Sequence, residues 1–131
     1  MKYMLLVHHD EETFSKRSEP ERQGLLTESV QLANDLDARG KYFSAAPLHS
    51  ISETKCVRVR QGKRLVTDGP FAETREQLGG YFLVDAENVE DAIEIAGRIP
   101  GARIGVVEVR RVTEVEGLPR EAARTTAKAT V

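Results

Sequence analysis

A chain of 131 residues, 40% hydrophobic and 31% charged, holds enough apolar material for one domain around one core. Its 19 basic and 21 acidic residues leave a net charge of −2, which argues against a general binder of nucleic acid or anionic membrane. No apolar run approaches the roughly 20 residues of a membrane span, and the single cysteine, Cys56, excludes an intramolecular disulfide and fits a reducing cytosol.

The opening Met1–Val7 reads as a strand. Tyr3, Leu5 and Val7 share one face, Met4 and Leu6 the other, and the run stops at His8-His9-Asp10 without a small-residue cleavage site. Ser18-Glu19-Pro20-Glu21 predicts a helix start, with Ser18 as cap and Glu21 completing a capping box. Its expected buried stripe is Leu25, Leu26, Ser29, Leu32, Ala33 and Leu36, and Gly40 ends it. A weaker strand covers Lys41 to Ala46 and closes at Pro47. Thr54–Arg60 and Lys63–Thr67 form a hairpin about Gln61-Gly62, with Val57 and Val59 facing away from Cys56, Arg58 and Arg60.

Asp68 to Tyr81 then combines an Asp-Gly bend, a short charged helical turn carrying Glu73, Arg75 and Glu76, and a glycine pair before a strand over Gly80–Asp85. Asn88 caps a second helix whose inward stripe is expected at Val89, Ala92, Ile93, Ala96 and Ile99. Pro100-Gly101 stops it before a last strand, Ile104–Val109. The order is β-α-β-β-α-β with an extra hairpin strand, an α+β fold of ferredoxin-like, split βαβ type. We place the domain at residues 1–113 and a peripheral tail at 114–131, because past Gly117 the composition shifts to Ala, Thr, Arg and Lys. Both helices of this fold pack on one sheet face. Strands apolar on both faces therefore predict a homodimer with sheet covering sheet.

The run Asp68-Gly69-Pro70-Phe71-Ala72-Glu73-Thr74-Arg75-Glu76 resembles the motif of the DGPF family within the YCII-related group, differing only at Arg75, where that motif carries lysine. The resemblance spans roughly the first 113 positions. It implies a dimeric α/β barrel, with acid–base chemistry on a small organic acid or lactone, of isomerase, lyase or dehalogenase kind. It implies as an alternative a non-catalytic accessory protein associated with an alternative sigma factor. Similar proteins carry a histidine–aspartate pair whose histidine opens the first helix. Here that region is Pro20-Glu21-Arg22-Gln23-Gly24, without histidine.

Asp68 is the expected catalytic carboxylate, with a purely local turn role as the bland rival. His8 or His49 would be its partner, against readings as a polar strand end and a surface-loop residue. His8 and His9 point to opposite strand faces and cannot easily share an ion, and no His-x-x-x-His or Cys-x-x-Cys spacing occurs, so neither metal nor cofactor is expected. Arg58 suits an acidic ligand group or an outward solubilising role. With Phe71, Glu73 and Tyr81 it completes the expected ligand-contacting set.

Overall fold

The computed structural model describes residues 1–119, and the expectation for the tail beyond them lies outside the described residues. In chain order the elements are β1 (Lys2–His9), α1 (Glu11–Ser15), α2 (Glu19–Ala38), β2 (Tyr42–Pro47), a 3-10 turn (Ile51–Glu53), β3 (Lys55–Arg60), β4 (Lys63–Asp68), β5 (Gln77–Asp85), α3 (Val89–Arg98), α4 (Gly101–Ile104) and β6 (Val106–Arg111). Four strands form an antiparallel sheet in the order β2-β5-β1-β6, the ferredoxin-like arrangement expected from the element order. The β3–β4 hairpin is a separate two-stranded sheet, so two strands are added to the four of the β-α-β-β-α-β pattern where one was expected.

Period-two alternation sends Tyr3 and Leu5 of β1, with Phe82 and Val84 of β5, to the helix side. Leu32 and Leu36 of α2 and Ala92, Ile95, Ala96 and Ile99 after the α3 cap close the core over them. Ser18 and Asn88 cap as read, but the Glu21 half of the expected capping box is replaced by an ion pair with Arg17. Ser18 accepts the Glu21 amide at 3.2 Å, and Asn88 Oδ1 accepts the Asp91 amide at 2.9 Å. Glu21 pairs with Arg17 at 3.5 Å, an i,i+4 contact.

Several details differ from expectation. Only the C-terminal half of α2 is seated: Leu32 and Leu36 are buried, while Leu26 is 46% exposed. Leu25 and Leu26 continue the helical stripe of Leu32 and Leu36, yet Leu25 is only half-buried and Leu26 faces solvent. In α3 Ile95 joins the expected Ala92 and Ala96 on the inward face, while Ile93 and Val89 are exposed. Past buried Pro100 the chain makes the short helix α4, where a strand start was expected, and β6 begins at Val106. The DGPF-like run forms no helical turn. Residues 70–76 are irregular, and β5 starts at Gln77, earlier than Gly80. A further short helix, α1, stands where a solvated loop was expected, capped by Asp10 through the amides of Glu12 and Thr13.

A cleft between helix and sheet as the candidate site

Because α2 touches the core only through its second half, its first half stands off the sheet. The gap is a cleft of about 1150 Å³. Apolar groups of Val7, Phe14, Leu25, Ala33, Ile99 and Ile104 line it, with His9, Arg22 and Ser29 as polar members. Size and mixture fit an organic ligand held by a few polar contacts.

His9 is the histidine of the cleft lining. It follows Tyr3, Leu5 and Val7 on the inward face of β1, while His8 turns outward to Glu108 at 3.2 Å. Register slips between Val7 and His8, so that His8 pairs with Leu78 and Gly79 is the extra residue of a bulge. A Cβ at Gly79 would fall on His9 Cε1 and lie 2.7 Å from Nδ1. Glycine is thus what lets the imidazole sit here, tilted against Phe14 with ring centroids 4.9 Å apart. Burial pushes the His9 pKa below its ordinary 6.5, and Glu11, Asp10 and Glu76 pull the other way. The ring is therefore neutral at pH 7, and its nitrogens have no hydrogen-bond partner among the described residues.

Polar contacts hold α1 and the α1–α2 corner in place. Glu11 receives the Ser50 hydroxyl and the Ile51 amide, and these bonds hold its carboxyl below the usual range. Arg22 Nη1 donates to the carbonyls of Arg17 and, at 3.2 Å, Ser15. This fixes the α1–α2 corner and sets a cation in the cleft wall.

The residues singled out from sequence lie elsewhere. Asp68 is exposed at the end of β4 and takes the Lys55 ammonium at 2.6 Å. His49 is in a loop, 3.5 Å from Glu53. Asp68, His8 and His49 thus have separate partners within one protomer. Phe71 is 82% exposed, and Arg58 and Glu73 are also exposed. Among the expected ligand contacts, Tyr81 alone borders the cleft. His9, Phe14 and Arg22 were missed. The signal for His9 was present: the alternation that turns Tyr3, Leu5 and Val7 inward turns His9 inward too. Among the described residues no three His, Cys, Asp or Glu side chains gather as a metal-binding group, and no helix is long and apolar enough to cross a membrane.

Fold and cleft together define a small ferredoxin-like α+β domain with a helix-roofed cleft. The YCII-related domain matches residues 1–116, and the chain belongs to the YCII-related family. It is also similar to an uncharacterised protein of Rhizobium meliloti (strain 1021), 31% identical over 112 residues that make up 84% of this chain and 90% of that protein.

Proposed function

We propose that the protein binds a small organic acid or lactone in the cleft beneath α2 and moves a proton on it through His9. The observation that carries this reading is a neutral, half-buried imidazole with uncommitted ring nitrogens, set in an apolar cleft. In this environment an imidazole is a competent base near neutral pH. It takes a proton from an acidic carbon beside a carbonyl and returns it to the same ligand, so the sequence is an isomerisation that balances without a co-reactant. Arg22 meets the ligand's carboxylate or carbonyl oxygen from the wall and steadies the developing charge.

A homodimer and a cytoplasmic location belong to the same reading. The outer sheet face exposes Leu78 and Val106 and half-exposes Met4, Leu6 and Leu83, and the one cysteine is free. Asp68, His8 and His49 enter the chemistry only if a second copy delivers them. The alternative is a non-catalytic accessory protein working with an alternative sigma factor. It is favoured by the engagement of Asp68, the expected carboxylate of the DGPF-like motif, with Lys55.

A thermal-shift screen of small carboxylic acids and lactones on wild type and His9→Gln tests the proposal. We expect a ligand that stabilises wild type and fails on a folded His9→Gln. Equal stabilisation of both by every hit would remove His9 from the function and favour the accessory reading.

A further inference from the structure

Among the described residues, little covers the β3–β4 hairpin in its own protomer. The turn is well made: Gln61 and Gly62 both have positive φ, 51° and 73°, the primed geometry that matches strand twist. The ladder runs in register from Lys55–Asp68 to Arg60–Lys63. Yet every residue of β4 is exposed, and in β3 only Cys56 is partly covered. Val57 and its cross-strand partner Val66 are 60% and 54% exposed, and Val59 beside them is 62% exposed. A lone two-stranded ribbon is marginal in water unless an apolar face is covered. Val57, Val59 and Val66 make such a face.

Charge identifies the cover. Residues 55–68 hold five basic side chains (Lys55, Arg58, Arg60, Lys63 and Arg64) and one acid, Asp68, for a net +4. Against a whole-chain charge of −2, the other 117 residues therefore carry −6. The basic ribbon and the acidic body are complementary to each other, and an anionic polymer would meet that acidic body as well. The hairpin also leaves the sheet at the end where Leu78 and Val106 are exposed on the outer face.

We infer that the β3–β4 hairpin is an arm that docks on a second copy of this chain, its Val57–Val59–Val66 face covering the outer sheet face near Leu78 and Val106. Two-fold symmetry makes the contact reciprocal, so both uncovered surfaces are satisfied by one operation. This deepens the dimer proposed above and is independent of the chemistry assigned to His9.

Light scattering of the full chain and of Val57→Glu/Val66→Glu is the test. Neither valine contributes to the core, so the body of the variant should melt as wild type does. Wild type is expected at twice 14.6 kDa at micromolar concentration and the variant at 14.6 kDa, with the dimer dissociation constant raised on the order of 100-fold by charge at two buried positions. A monomeric wild type, or a variant that dimerises as tightly as wild type, overturns the inference. Hydrogen exchange guards against a variant arm that merely unravels. Wild-type amides of residues 55–68 should gain protection only at concentrations where dimer forms; protection independent of concentration overturns the inference. So does a labelled DNA duplex that binds the wild-type arm while the protein stays monomeric. The ligand screen repeated on the monomeric variant reads the cleft separately.

Discussion

His9, Gly79 and Phe14 form one unit, because the missing Cβ of Gly79 is the space the imidazole occupies. Gly79→Ala should push the ring out of its seat. We expect a loss of about 1–3 kcal/mol in denaturant unfolding, as for other overpacked sites, together with loss of the ligand response. A variant as stable and responsive as wild type would mean that the ring relocates freely. Acid should also reveal His9. Its folded pKa lies below 6.5, so the unfolded chain binds more protons in this range. The His9 contribution is present above pH 6.5 and is lost as pH falls from 6.5 toward the lowered value. His9→Gln should flatten that part of the stability profile. It should leave the further loss below about pH 4.5, where Glu11 and Asp91, both held low by hydrogen bonds, take up protons. An unchanged slope between pH 6.5 and 5 in His9→Gln would contradict the burial of a neutral ring.

The element that decides the site is α2, a roof fastened at one end. Beyond its buried Leu32 and Leu36, it is tied to α4 by the two-pronged Glu28–Arg103 pair at 2.7 and 3.0 Å and to α3 by Arg98–Asp35 at 2.8 Å. These pairs are solvent-exposed, so each contributes little and weakens with salt. Leu36→Ala should cost ~2–5 kcal/mol, whereas Leu26→Ala should stay within ~0.5 kcal/mol; urea unfolding of the two variants compares them directly. Similar costs would show that the first half of α2 is also seated. Arg103→Ala should barely shift the midpoint, yet speed hydrogen exchange through residues 19–31, the unseated half. The same half-seating marks where the sequence was hard to read. The stripe from Leu25 to Leu36 has helical spacing throughout, and spacing does not say where along its length a helix meets a sheet. In α3 the apolar arc is wide enough to include both Ile93 and Ile95, and contact with the sheet selected Ile95.

For the molecule as a whole, the unshared surfaces matter most. A net +4 arm on a body of net −6 should give a dimer that loosens as salt rises, because contacts between exposed charges are screened within ~10 Å at 0.1 M. Light scattering across a salt series should show the monomer fraction increasing. A dimer indifferent to salt would leave apolar contact as its only cement. The cleft lies on the opposite side of the sheet from the outer face, so closing that face against a second copy leaves the space beneath α2 open to ligand.

The order of elements was determined locally and was legible from sequence. Alternation marked β1 and β5, Ser18 and Asn88 marked two helix starts, and Gln61-Gly62 placed the hairpin turn. Each depends on neighbours within a few residues, and each N-terminal cap is present where it was read. The cleft was not legible in that way. It arises from contacts distant in sequence: Gly79 beneath His9, Gly101 against Val7, and Glu28 paired with Arg103. The DGPF-like run identified the family, but its Asp68 forms an ion pair with Lys55, while the imidazole that lines the cleft came from the far end of β1. Local sequence sets the period and the ends of an element. How deep a helix sits on a sheet, and which side chains border the gap it leaves, depend on packing that only the assembled fold supplies.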